Sequence, residues 1–168
     1  MKVIVVTGTP GTGKTLLSRK LAKKLGFYYI DVNKIISKNK LSESYDGKRK
    51  SKVVDIKKLN DFLIGCIGEF KKLNKKNEKY SGIVVDSHLS HYLPKKYVDF
   101  CIVTKCDIKE LNKRLKNKKF NENKRKENIQ AEIFDICLNE AKERKHRVIV
   151  INTAKGFNID GIIRKLGV

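Results

Sequence analysis

The run Gly8-Thr9-Pro10-Gly11-Thr12-Gly13-Lys14-Thr15 most constrains what this chain can fold into. It fits the phosphate-binding loop pattern of Gly, four residues, then Gly-Lys-Thr. An apolar run, Val3-Ile4-Val5-Val6, precedes it directly, and a helical pattern follows. In a strand–loop–helix context the loop and helix amides converge on a nucleotide's phosphates. Lys14 then reaches the β- and γ-phosphates, and the Thr15 hydroxyl ligates Mg²⁺. The glycines permit close approach and positive φ. The alternative is a Gly-rich strand-to-helix turn with a chance lysine.

The rest of the chain alternates strand and helix, the signature of an α/β protein with a parallel sheet. Strands are expected at Lys2–Thr7, Phe27–Ile30, Gly82–Asp86, Tyr97–Thr104 and Arg147–Asn152. Apolar spacing predicts helices over Lys14–Leu25, stopped by Gly26, and over Ile56–Lys72, Glu127–Lys142 and Ile159–Leu166. Asp31 is expected to cap a helix reaching about Lys38, and Asp107 another carrying Ile108, Leu111 and Leu115. Leu41–Lys52 is polar and reads as a mobile loop. Lys116–Lys126, dense in charge, reads as a short flap. No internal repeat or second core is visible, so residues 1–168 read as one domain with two excursions, at Asp31–Asp55 and Lys116–Glu127.

Composition narrows the setting. No stretch approaches the ~20 apolar residues that span a membrane, and Met1–Val6 reaches the glycine loop too soon for a signal peptide. A cytoplasmic protein is expected. Cys66, Cys101, Cys106 and Cys137 form no CxxC pair, and three histidines are few for a zinc site. Buried free thiols are expected rather than disulfides. The net charge of +21, from 39 Lys+Arg against 18 Asp+Glu, suits contact with polyanions such as nucleotides or RNA. A lysine-rich proteome is the competing explanation. The residues carry no signal of oligomeric state.

Three further features bear on chemistry. Asp86 ends a buried apolar strand, the position from which a carboxylate holds a magnesium shell; it could also simply cap a helix. His88, two residues on, could orient an attacking water or serve packing. His91 offers only proximity, and His146 is expected on the surface. The cluster Lys113, Arg114, Lys116, Lys118, Lys119, Lys124, Arg125, Lys126 could close over a triphosphate or be a solvated helix end.

The order of phosphate loop, insert, Asp-x-His after a strand, and basic lid resembles the nucleoside monophosphate kinases. Gly82–His88, Ser90–Tyr97, Leu111–Phe134, and Asp31–Leu41 with Ser44-Tyr45-Asp46 resemble the adenylate kinase isoenzyme six family across nearly the whole chain. Phe120–Ile133 is the most specific stretch. The resemblance implies a P-loop NTPase fold of nucleoside monophosphate kinase type, with ATP phosphates on Gly8, Gly11, Thr12, Gly13, Lys14, Thr15 and the Leu16 backbone. It implies a monophosphate-binding insert at about 31–54 and a lid at about 117–127 with Lys118 as a cation. Asp86 and His88 match the family's Asp-x-His, associated with magnesium and water activation, so Lys14, Asp86 and His88 become the expected catalytic residues, and Thr15 and Asp86 the metal ligands. The implied activity is phosphoryl transfer from ATP to AMP with Mg²⁺, plus ATP hydrolysis. A role in small ribosomal subunit maturation, with a ribosomal protein and rRNA as partners, is also implied. The alternatives are an ATP-driven assembly factor with little kinase activity, or a kinase for another small acceptor or polynucleotide end. The sequence departs from the family pattern in three places. Lys118-Lys119-Phe120 stands where the lid commonly has an arginine before Gly-Tyr, leaving Arg114 or Arg125 to compensate. No arginine lies between Arg19 and Arg49, leaving Lys34 and Lys38 for the monophosphate. Gly47-Lys48-Arg49-Lys50 replaces an acidic loop.

Overall fold

The computed structural model describes residues 1–47, 51–77, 79–118 and 120–168. Lys48, Arg49 and Lys50 of the basic loop, and Lys119 of the basic cluster, lie outside them. The elements run β1 (Lys2–Thr7), α1 (Lys14–Leu25), β2 (Tyr28–Asp31), α2 (Val32–Lys38), β3 (Ser42–Asp46), β4 (Ser51–Val54), α3 (Ile56–Asn77), β5 (Gly82–Asp86), β6 (Phe100–Lys105), α4 (Ile108–Asn117), α5 (Glu122–Ile133), α6 (Ile136–Glu143), β7 (Val148–Asn152) and α7 (Ile159–Leu166). Single turns of 3₁₀ helix cover Ser90–Tyr92 and Lys95–Tyr97.

Five parallel strands form the central sheet in the order β2-β5-β1-β6-β7. The expected parallel sheet flanked by helices is thus what the chain forms. Strands buried on both faces need continuous apolar runs, and Val3–Val6 and Ile83–Val85 supply them at 0% exposure. Alternation sends Val3, Val5, Ile83 and Val85 against Leu59, Leu63 and Ile67 of α3. It sends Ile4, Val6 and Val84 against Leu17 and Leu21 of α1 and Ile162 and Leu166 of α7. A smaller cluster joins Leu111 and Leu115 of α4 to Cys106, with Phe120 and Ile129 packed against it. All four cysteines are free thiols; Cys101 and Cys106 are buried, Cys66 and Cys137 half-buried.

Strand β1 is central, and the chain leaves it for β2 on one side and later for β6 on the other. Its carboxyl end is therefore a topological switch point, where open α/β sheets bind ligands. Register sets Val6 opposite Asp86 and Asp31 opposite Asp86. The end of β1, the Asp86 carboxylate and the start of α2 are thereby brought to one edge.

Most boundaries fall where periodicity puts them, and five expectations change. Leu41–Lys52 is not a loop throughout: β3 and β4 pair antiparallel, with an irregularity between Ser42 and Ser44. Polar sequence concealed this, because a solvated two-stranded ladder is held by backbone hydrogen bonds. The flap at Lys116–Lys126 contracts to a helix–helix turn, since α4 continues to Asn117 and Asn121 caps α5 by accepting from the Lys124 N–H. The helix expected over Glu127–Lys142 is two helices, broken where Asp135 takes φ 54°. Lys105 produces the break: its Nζ donates to the Glu132 carbonyl at 2.7 Å and to the Asp135 carboxylate, drawing the chain off the helical path. Ile133, expected on the buried face with Ile129, is 56% exposed as a result. Finally, His146 is buried, with Nε2 2.9 Å from the His91 carbonyl. The Asp107 cap is partial: it holds the N-cap position, but its carboxylate accepts from Asn152 Nδ2 instead of an α4 amide.

Gly82 illustrates how tightly β5 is packed. A Cβ there would sit 2.3 Å from Phe27 Cε2 and 2.5 Å from Cζ, and Phe27 is itself buried. Gly82→Ala is expected to destabilise the fold by about 1–3 kcal/mol through overpacking, read as a lower urea midpoint. Gly65→Ala in α3, where a Cβ meets nothing within 4 Å, should instead stabilise by about 0.5–1 kcal/mol.

Candidate active site

The loop from Gly8 to Thr15 is shaped by packing against the elements around it. Gly8 has φ 135°, and a Cβ there would meet the Thr104 carbonyl at 2.4 Å. Gly11 has φ 98°, and a Cβ would press on the Leu111 and Leu115 methyls at 2.9 Å. Both positions therefore exclude side chains on steric and conformational grounds. Thr12 turns inward: Oγ1 lies 2.8 Å from the Thr9 carbonyl and 2.6 Å from Thr104 Oγ1. The Thr153 hydroxyl, from the segment after β7, donates to the Thr12 carbonyl at 2.6 Å. Gly13 takes the N-cap position of α1 with no side-chain cap. The first amides of a twelve-residue helix are thus left open to an anion.

Lys14 folds back over this loop, its Nζ donating to the Gly8 carbonyl at 2.7 Å and the Thr9 carbonyl at 2.9 Å. Burial pulls the ammonium down to about 8, partly opposed by Cys137 and Asp86. The proton on Lys14 is consequently lost as pH rises through about 8. Phosphate binding favours the charged form, so nucleotide affinity should hold below about pH 8 and fall above it. We expect the Kd for ATP to rise about tenfold or more between about pH 7.5 and about pH 9.5. Fluorescence titration should show it, and Lys14→Met should abolish the dependence.

Asp86 lies at the end of β5, 4% exposed. Its Oδ2 accepts from the Tyr29 hydroxyl at 2.8 Å, and burial pushes that phenol well above its usual range. Oδ1 has no hydrogen-bond partner among the described residues. Thr15 lines the same cavity, with its side chain exposed. A free carboxylate oxygen and a free hydroxyl on one cavity are hard donors of the kind Mg²⁺ takes alongside water and phosphate oxygens. The residues present therefore fit the ion.

His88 lines the cavity between Ser87 and Leu89. Burial pushes its imidazole down to about 4, with the Lys14 charge acting in the same direction. The ring is therefore neutral at physiological pH and able to accept a hydrogen bond. His91, which sequence left without a role, is buried and spans two elements: Nδ1 lies 2.7 Å from Thr7 Oγ1 and Nε2 2.8 Å from Glu140 Oε2. Tyr92 donates to the other Glu140 oxygen at 2.9 Å. This network ties α6 to the end of β1.

The structure sorts the basic cluster. Arg114, Lys118 and Lys124 line the cavity, whereas Lys113, Lys116, Arg125 and Lys126 do not. Arg114 is anchored, donating to the Thr153 and Ala154 carbonyls at 3.0 and 3.3 Å and to Glu110 at 2.8 Å. It forms a wall beside Gly13. Lys118 ends α4, exposed at the cavity mouth. Thr12 is a loop-locking residue and Leu16 an exposed side chain. The cavity, of about 1330 Å³, runs from this loop past Asp86 and His88 to Asn33, Ile36, Ser37, Val54 and Ile56. Lys34 and Lys38 are not among its lining residues. Sequence reasoning missed Tyr29, Thr104, Glu132 and Thr153. Only strand alternation at Tyr29 could have signalled one of them, since the others meet the loop across 92 to 141 residues.

A family model described as an AAA domain matches residues 4–135. The adenylate kinase isoenzyme 6 homolog of Caenorhabditis elegans is 36% identical over 147 residues, covering 88% of this chain and 76% of that protein. The Dictyostelium discoideum homolog of the same name is 32% identical, covering 88% and 78%. Among solved structures, the deoxyadenosine kinase of M. mycoides with bound dATP superposes with a TM-score of 0.56 at 15% identity, covering 100% of both chains. That likeness gives the fold, a P-loop NTPase. The identity and coverage of the relatives give the rest: the chain belongs to the adenylate kinase isoenzyme 6 family.

Proposed function

We propose that this protein transfers the γ-phosphoryl group of ATP to AMP, giving two ADP, and hydrolyses ATP when water takes the acceptor's place. One observation carries the reading. A single cavity of about 1330 Å³ holds the phosphate loop at one end and a cation-poor end built from α2, β4 and the start of α3 at the other. That exceeds the ~300–1,000 Å³ of a site for one small ligand, and supports adjacent donor and acceptor nucleotides. In this reading residues 1–168 form one kinase domain, with the acceptor on the 31–54 insert and a short lid at 117–127. The names of the relatives favour AMP as the acceptor.

An oxygen of the AMP phosphate attacks the γ-phosphorus in line. The bond to the β-phosphate oxygen breaks, and ADP leaves. Such transfers need positioning and charge stabilisation more than covalent catalysis. The α1 amides and Lys14 hold the β- and γ-phosphates, and Lys14 exchanges its two carbonyl partners for phosphate oxygens. Lys118 adds charge from the lid, while Arg114 shapes the donor end. Mg²⁺, held by Thr15 and Asp86, would neutralise charge shared between the β- and γ-oxygens. In hydrolysis, neutral His88 orients the water by hydrogen bonding.

ADP formation from ATP plus AMP, monitored by coupled assay against ATP alone, tests this. Turnover that does not depend on AMP would overturn the kinase assignment and leave a hydrolase. The charge of +21 favours a second, compatible role as a small-subunit maturation factor bound to rRNA and a ribosomal protein. Binding to rRNA that is indifferent to ATP versus ADP would remove the ATP-driven form of that role.

A further inference from the structure

We propose that Glu132 is a positioning residue for the phosphate loop, acting through Thr9. This rests on reading Gly8–Thr15 as the ATP site and adds a residue that the loop motif does not contain. Glu132 is 4% exposed and belongs to α5, 123 residues from Thr9. Its Oε2 accepts from the Thr9 hydroxyl at 2.5 Å. Its Oε1 accepts from the Cys106 amide at 2.9 Å and lies 3.2 Å from Lys105 Nζ. Burying a carboxylate is costly unless donors surround it, and here three residues from two segments, the phosphate loop and the end of β6, supply them.

The contacts to Cys106 and Lys105 are enough to tie α5 to the end of β6. The contact to Thr9 does something different, because Thr9 belongs to the loop itself, next to Gly8. The Thr9 carbonyl is where the loop's own donors converge: the Thr12 amide at 3.2 Å, Thr12 Oγ1 at 2.8 Å and Lys14 Nζ at 2.9 Å. Fixing the Thr9 side chain fixes the direction of that carbonyl, and with it the resting place of Lys14. A preformed loop binds phosphate without first being ordered. The same helix presents Lys124, Asn128 and Ala131 to the cavity. One helix thus walls the donor site and anchors its floor, which gives a physical reason for the distinctive sequence of 120–133.

The test compares the whole protein with Thr9→Val, Thr9→Ser, Glu132→Gln and the Thr9→Val/Glu132→Gln double variant. Fluorescent N-methylanthraniloyl-ATP reports nucleotide binding, and steady-state kinetics separate KM for ATP, KM for AMP and kcat. Thr9→Val keeps the shape of the side chain and removes its hydroxyl. It should raise the Kd for the ATP probe about tenfold, as loss of a hydrogen bond to a carboxylate implies, while leaving KM for AMP within about twofold. Thr9→Ser, which retains the hydroxyl, should stay near wild type. Glu132→Gln should weaken binding in the wild-type background and add nothing in the Thr9→Val background. Equal effects of Glu132→Gln in both backgrounds, or an unchanged Kd in Thr9→Val, would overturn the proposal and leave Glu132 a fold residue only. Probe binding needs no acceptor, so wild-type protein that binds ATP but ignores AMP refutes the kinase reading alone. Wild-type protein that does not bind the probe refutes the ATP-site reading, and this proposal with it.

Discussion

Lys14→Met should lower the rate of phosphoryl transfer by about 10²- to 10³-fold, the range seen when one preorganised donor to a developing charge is removed. Methionine preserves the unbranched stem, so loop packing is little disturbed. What disappears is the side-chain ammonium seated on the loop itself, hydrogen-bonded to the Gly8 and Thr9 carbonyls. Those contacts hold Nζ against the loop at the cavity where triphosphate oxygens would arrive. Nucleotide binding should weaken less than turnover, because the α1 amides and the open Gly13 cap remain. KM for ATP should rise about tenfold, as the pH dependence of binding implies, while kcat falls further, the expected pattern for a contact strengthened in the transition state. Unchanged kcat in Lys14→Met would remove the loop from the chemistry. The thermal midpoint in the absence of nucleotide supplies the control for folding.

Much of this arrangement is legible in the sequence because it is local. The phosphate loop, the strand that feeds it and the helix that leaves it lie within residues 2–25, and Gly26 stops α1 in the left-handed conformation. Gly82–Asp86 reads as a buried strand from its apolar run alone, and its position beside β1 delivers Asp86 to the loop. The illegible parts depend on distant partners or on solvent. The β3–β4 hairpin carries no apolar alternation, so only pairing reveals it. The break at Asp135 follows from Lys105, thirty residues away. His146 resembles a surface histidine in sequence, yet it fills a gap behind His91. Glu132 stands among the charged residues of α5, and only its contacts separate it from Glu122, which is paired with Lys126 in solvent.

Asp86→Asn should reduce kcat by about 10²-fold or more, and the loss should be tied to magnesium. The substitution keeps size and lets an amide oxygen still accept from the Tyr29 hydroxyl, which meets Oδ2 at 2.8 Å. The amide nitrogen then takes the place of Oδ1, the oxygen without a hydrogen-bond partner among the described residues. A donor group there repels a cation and cannot replace a carboxylate in a hard oxygen shell. Binding of ATP without metal should change less, because the loop amides do not depend on Asp86 and Lys14 loses only the Asp86 charge that helps hold its proton. Binding of Mg·ATP should weaken, and the Mg²⁺ concentration giving half-maximal rate should rise. Tyr29→Phe separates charge from orientation: it removes the hydroxyl that holds Oδ2 but leaves the carboxylate, so the rate should fall by less than about tenfold. The decisive measurement is the rate as a function of free Mg²⁺ for wild type and both variants. If Asp86→Asn follows the wild-type magnesium curve, Asp86 belongs to the hydrogen-bonding of Tyr29 and the cap of β5, and the metal must be held by Thr15 and phosphate oxygens alone.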